Sequence, residues 1–264
     1  MESAFDQLAK DYDASFTNTP IGKLQRNRVH CFLNESLKVN TKTILEINCG
    51  SGKDAFWLAE KDLQVTATDA SATMIEVVKR KSTVEGRLNS VTAIQLSFSE
   101  LKKYFGELKF DFIFSNFGGL NCASPQELTK LANDFSSLLN ENGKFIAVVM
   151  GKKCLWERIY FRWKGKPKQA MRRNSKQKLE VRIGDAIIST WYYSPAEFSK
   201  IFSVSFDVVK IKPVGLFIPP SYLNSFFVKK NWLLAILNVA EKIFSFSWLS
   251  DYADHYFIEL KRKN

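Results

Sequence analysis

The sequence predicts an α/β chain wound around a largely parallel sheet. Three observations carry this. Residues 43–54 read TILEINCGSGKD, an apolar β-branched run followed by a glycine turn and a helix start. Strand-like and helix-like segments then alternate regularly as far as Met150. Asp69 ends the second strand-like run, where an acidic side chain can accept hydrogen bonds from ribose hydroxyls.

The elements follow in order. Residues 1–40 read as helical, with Leu24, Val29, Phe32 and Leu33 on one face. Thr43, Ile44, Leu45 and Ile47 make the first strand, and Asn48, Gly50 and Gly52 turn the chain. Asn and Gly tolerate positive φ, and glycine lets a ligand approach the backbone. A helix opens at Ala55. The second strand covers 63–68, and Ser71 caps the next helix. Strands over 91–96 and 110–114, a helix over 128–139, a turn at Asn142-Gly143 and a strand over 144–150 complete the regular half. A hairpin follows around Gly184-Asp185, then a helix over 194–202 and a strand over 206–212. Pro219-Pro220 stops regular structure and 221–227 resumes it. An apolar helix covers 231–246, with Asn231, Asn238, Glu241, Lys242 and Ser245 on its polar side. Residues 255–261 form a closing strand.

The turn's charge selects its ligand. Gly50-x-Gly52-x-x-Ala55 fits the loose dinucleotide fingerprint. A pyrophosphate wants exposed amides and no nearby carboxylate, yet Glu46 precedes the turn and Asp54 follows it. Carboxylates there suit a ligand with a cationic centre. Glu46-Ile-Asn-Cys-Gly50-Ser-Gly52 resembles the D/E-x-G-x-G-x-G signature of class I S-adenosylmethionine (SAM)-dependent methyltransferases of the type 11/25-like kind. Asn48 stands where that family has its first glycine. The resemblance covers about residues 5–150. It implies a Rossmann-like seven-stranded sheet, mostly parallel with an antiparallel final strand, plus an α/β cap insertion, and SAM as cofactor. It assigns Glu46, Asn48, Gly50 and Gly52 to the cofactor. Asp69, Ala70 and Met74 match the family's D-x-S-x-x-M. Ser97 and Phe98 stand where relatives bind adenine, and Asn116 follows the fourth strand, where cofactor meets substrate. Phe5-Asp-x-x-Ala-x-x-Tyr12-Asp13 resembles the segment that caps the cofactor, bringing Tyr12 to it. Two rival readings are an NAD(P)-dependent oxidoreductase and a non-catalytic SAM-fold protein that docks RNA or a membrane.

The division expected is one domain: an N-terminal helical cap over 1–40, a cofactor core over 41–150, a basic substrate cap over 151–200, and strands and helices over 201–264. The chain carries a formal net charge of +11, which implies an anionic partner or surface. Twelve basic residues against Glu157 and Glu180 in 151–183 place nearly all of that charge in one stretch, interleaved with Trp156, Tyr160, Phe161 and Trp163. Such a stretch fits an acidic substrate, a peripheral membrane contact or, less favoured, nucleic acid. The acceptor expected is a small or lipid-like molecule. A proton acceptor for catalysis is not fixed by motif; Glu157, Tyr160, Tyr192, Tyr193 and His255 are the candidates. Four cysteines without a CxxC pair and two histidines give no zinc constellation. Thiols of this kind, and no run of about 18 apolar residues, suggest a cytoplasmic protein.

Overall fold

The computed structural model describes residues 16–38, 40–183 and 186–263. Seven strands form the main sheet: β1 (Thr43–Ile47), β2 (Gln64–Asp69), β3 (Val91–Gln95), β4 (Phe110–Ser115), β5 (Leu139–Met150), β8 (Phe206–Val214) and β9 (His255–Arg262). Their order is β3-β2-β1-β4-β5-β9-β8. Strands β1 to β5 pair in parallel, and β9 runs antiparallel to both β5 and β8. This is the doubly wound sheet expected, with its antiparallel closing strand. β6 (Leu179–Ile183) and β7 (Ala186–Thr190) form a separate hairpin, whose expected turn at Gly184-Asp185 lies outside the described residues.

Helices cover both faces because successive strand residues point to opposite sides. Helices α1 (Pro20–Ser36), α2 (Lys53–Ala59) and α3 (Ala72–Val84) take one face. Val29, Phe32, Ala55, Leu58, Ile75 and Val78 pack there with Ile44, Phe112 and Phe114. α4 (Leu101–Phe105), α5 (Pro125–Leu138) and α8 (Pro195–Phe202) take the other, where Phe135, Phe198 and Phe202 meet Leu45, Ile113 and Phe145. Proline at the first turn and a Ser–Glu capping box start α5 and α8.

Two elements depart from expectation in what their residues do. The turn at Asn142-Gly143 lies inside β5: the strand begins at Leu139, and the register with β4 shifts between Phe110 and Phe112. Asn142 takes φ 62° there, so the extra residues are absorbed as a bulge. Helix α10 (Asn231–Ile243) ends before Phe246, and Glu241 on its supposedly polar side is buried. α6 (Leu155–Trp163), α7 (Pro167–Ala170) and α9 (Asn224–Phe227) complete the cap. Trp156 of α6 and Leu233, Leu234 and Leu237 of α10 share a small cluster with Phe227 and Ile218.

Candidate cofactor cleft

The adjacent parallel strands β1 and β4 end side by side, and the segments after them enclose a cleft. Arg26, Asn48, Gly50, Asp54, Asn116 and Phe117 line it. The backbone after β1 needs left-handed conformations in quick succession: Asn48 at φ 50°, Gly50 at 53° and Gly52 at 77°. Gly52 is fixed twice over, because a Cβ there would lie 2.9 Å from a Val78 methyl.

Asn48 does more than tolerate the turn. Its Nδ2 donates to the Asn116 carbonyl (3.0 Å), and its Oδ1 accepts from the Ser115 hydroxyl (2.6 Å). The side chain thus ties the end of β1 to the end of β4. Gly119 is required in return, since a Cβ there would overlap the Asn48 amide. A glycine at 48 would make the turn but not the link.

Asp69 holds the turn from the β2 side. Its Oδ2 accepts from the Gly50 N–H and its Oδ1 from the Ser71 N–H, both at 2.9 Å. These bonds fix the carboxylate beside the turn, at the carboxyl end of β2. Ala70 is exposed beside it, and its carbonyl accepts from Gln95.

A charged cluster floors the cleft. Asp54 is buried, pairs with Arg26, and accepts from His30 Nε2 (2.7 Å) and Asn116 Nδ2 (2.8 Å). Burial alone would raise its pKa, but Arg26 and His30 hold it well below the ordinary carboxylate range. Glu46 shares this side of the sheet and is 1% exposed, and its Oε2 has no hydrogen-bond partner. Burial first, then the charges of Asp54 and Asp69, push its pKa well up, with Arg26 opposing. The Phe117 backbone is strained at φ 43°. Its ring meets the Arg26 guanidinium at 5.0 Å and the His255 ring at 5.6 Å.

Other expected site residues are placed differently. Ser97 is the N-cap of a short 3-10 turn: its hydroxyl donates to Glu100 (2.5 Å) and its N–H donates to the same carboxylate (2.8 Å). Phe98 packs on the larger core, and Met74 is a buried core methionine. Tyr12 lies outside the described residues.

Toward the cap, Asn121 is fully buried and ties its own segment to the end of β5 and to the residue after β7. Its Nδ2 donates to the Met150 and Trp191 carbonyls, and its Oδ1 accepts from the Met150 N–H. Arg173 reaches back from the cap to Glu157 (2.7 Å), to Asp254 Oδ1 (2.9 Å) and to the Asp254 carbonyl (3.1 Å). Arg172 takes the other Glu157 oxygen at 2.5 Å. Both Glu157 oxygens are thus held by arginines, and Tyr193 donates to the Ala123 carbonyl, so each has a structural partner. Tyr192 is buried under the Arg173 guanidinium, and burial raises its pKa. His255 remains. It opens β9 opposite Met150, with Nδ1 3.2 Å from Asp254 Oδ2 but off the line of a hydrogen bond. The sequence reading missed Arg26, His30 and Asn121, because their partners are distant in sequence and no local spacing marks them. No group of three or more metal-ligating side chains occurs among the described residues.

Residues 44–143 match a family model described as a methyltransferase domain. A search of curated proteins finds no match. Among solved structures, the CcbJ methyltransferase from Streptomyces caelestis superposes with a TM-score of 0.66 at 15% identity, covering 100% of this chain and 99% of that one. A SAM-dependent methyltransferase from Methanosarcina mazei gives 0.61 at 16% identity, covering 88% and 96%. Magnesium protoporphyrin IX methyltransferase from Synechocystis, with bound S-adenosylhomocysteine, gives 0.57 at 14%, covering 90% and 83%. Residues 44–143, from β1 into β5, thus match a methyltransferase domain, and the whole chain has the seven-stranded fold of these methyltransferase structures, in the order β3-β2-β1-β4-β5-β9-β8.

Proposed function

We propose that this cleft holds SAM with its cationic centre toward Glu46, and that the cap presents a small acceptor with an apolar body and an anionic group. The observation that carries the reading is the buried Glu46 with one unpartnered oxygen beside a strained glycine turn. An orphaned buried carboxylate oxygen is costly, and a cationic ligand relieves that cost. SAM supplies an electrophilic methyl group on a sulfonium. Asp69 would accept from its ribose hydroxyls, and Gly50 and Gly52 would let it approach the backbone. Arg26, which lines the cleft, offers a cation to its carboxylate. The Ala70, Met74, Ser97, Phe98 and Asn116 assignments belong to the same reading, with Met74, Ser97 and Phe98 shaping the adenine side through packing and backbone position.

The acceptor side is built from Phe117, His255 and the cap root at Gly151. Basic residues of 151–183 set a positive field over this side, which favours an anionic acceptor. Alignment of acceptor and donor and exclusion of water supply much of the rate in such transfers. Where the acceptor must lose a proton, His255 is the base, with the Asp254 carboxylate 3.2 Å from its Nδ1. Asp254 suits this: despite burial, His255 and Arg173 keep it ionised well below the ordinary range.

The test is equilibrium binding of SAM to the wild-type chain and to Glu46→Gln. A loss of tenfold or more, about 1.4 kcal/mol, is expected. Equal affinity in a folded variant overturns the assignment of Glu46.

A further inference from the structure

The cap carries two apolar stripes that its own core does not cover. On α10, Trp232, Ile236, Val239 and Ile243 are exposed, with Trp232 at 68%. Their spacing of four, three and four residues places them on one helix face. The opposite face, through Leu233, Leu234 and Leu237, packs on the cluster shared with Trp156. On α6, Leu155, Ile159 and Trp163 recur every four residues and are exposed as well, Trp163 at 80%. Phe246 and Trp248 stack on each other just beyond α10, and both are exposed.

Lysines accompany these stripes. Lys230 lies over the Phe226 ring at 3.6 Å, and Lys164 over the Trp163 ring at 5.4 Å. Among the described residues, no salt bridge involves Lys164, Lys166, Lys168, Lys229, Lys230 or Lys242. Apolar and aromatic residues beside uncompensated lysines suit the interface of an anionic bilayer. The ring bodies enter the headgroup boundary while ammonium groups reach lipid phosphates. A second copy of this chain fits poorly, because it would bring lysine against lysine. Single-stranded nucleic acid stacks on aromatic rings and has no use for the Ile236, Val239, Ile243 and Ile159 stripes.

We infer that α6, α10 and the 246–248 turn dock this protein on an anionic lipid surface. No helix among the described residues is long and apolar enough to cross a membrane, so the contact is peripheral. The inference stands apart from the methyl-transfer reading, since SAM affinity is read separately.

The full chain is sedimented with phosphatidylcholine vesicles, with and without phosphatidylglycerol, at low and high salt, while tryptophan emission is recorded. Binding to the phosphatidylglycerol vesicles is expected, with a blue-shifted emission and release by salt. Trp232→Ser with Ile236→Ser, and Ile159→Ser with Trp163→Ser, should each weaken it about tenfold or more, with SAM affinity unchanged. The inference is overturned by no vesicle binding, by equal binding to neutral vesicles, or by full binding of both double variants. It is also overturned if light scattering shows a dimer that Trp232→Ser with Ile236→Ser dissociates, because a second copy then covers the face.

Discussion

The cleft at the end of β1 and the loop after β8 each bury a glutamate, and they treat it in opposite ways. Glu241 of α10 is 1% exposed, and both its oxygens are satisfied by four consecutive backbone N–H groups. Gly215 and Leu216 donate to Oε1 at 2.7 and 3.3 Å, and Phe217 and Ile218 to Oε2 at 2.7 and 3.1 Å. Glu46 is buried as deeply and keeps one oxygen without a partner. Burial raises both carboxyls, but the four amides pull Glu241 back while Asp54 and Asp69 push Glu46 further. A buried acid whose hydrogen bonds are all met inside the chain holds a loop. One left incomplete beside a strained turn is, on the proposed reading, completed by a cationic ligand.

The largest expected effect separates the two. Glu241→Ala strands four amides and should cost about 3–4 kcal/mol of stability in urea unfolding. SAM affinity at low denaturant should not change. A loss under about 1 kcal/mol would mean that water or a rearranged loop satisfies those amides.

Glu46→Gln should do the reverse: SAM binding weaker by about 1.5–3 kcal/mol, and stability at neutral pH equal or higher. The sign follows from linkage. The folded-state pKa of Glu46 is raised, so the fold holds this proton more tightly than the unfolded chain does. That contribution is complete below the ordinary glutamate pKa and is lost as pH rises through the raised value. The variant should therefore flatten the decline of stability above the ordinary glutamate range. Asp54 runs the other way: its lowered pKa gives stability above the ordinary aspartate pKa, lost as pH falls through the depressed value. Asp54→Asn should soften the acid limb of the same pH series, and an unchanged acid limb would remove the Arg26–Asp54–His30 cluster from the account.

The smallest effect sharpens the cleft itself. Asn48→Gly keeps the left-handed turn and removes two hydrogen bonds to the β4 side, so about 1 kcal/mol of stability should go. A stabilised variant would show that the turn alone, and not the link to Ser115 and Asn116, accounts for Asn48.

The cleft half was legible because its signals are local. Apolar runs, the glycine turn, Asp69 at a strand end and Ser71 as a cap all act within a few residues of one another. The cap was less legible because its determinants are distant. Arg172 and Arg173 look alike in sequence, yet Arg173 is buried between Glu157 and Asp254 while Arg172 stays partly exposed. A substrate-capture test that reverses both charges would break the fold through Arg173. Glu241 read as part of a polar helix face, and only the 215–218 loop shows why a carboxylate is buried there. The exposed stripe on α10 escaped for the same reason: an apolar helix gives no sign of which face meets the core. Ser97 was read by position in a pattern, while Glu100, three residues on, turned its hydroxyl into a cap.

The most direct test of the central claim is calorimetric titration of the chain with SAM and with NADH, each in two buffers of different ionisation enthalpy. SAM should bind and release a proton as Glu46 ionises against the cation, and NADH should give no binding heat. SAM binding without any proton release, or NADH binding in the same cleft, would contradict the assignment of Glu46 and with it the reading of the turn.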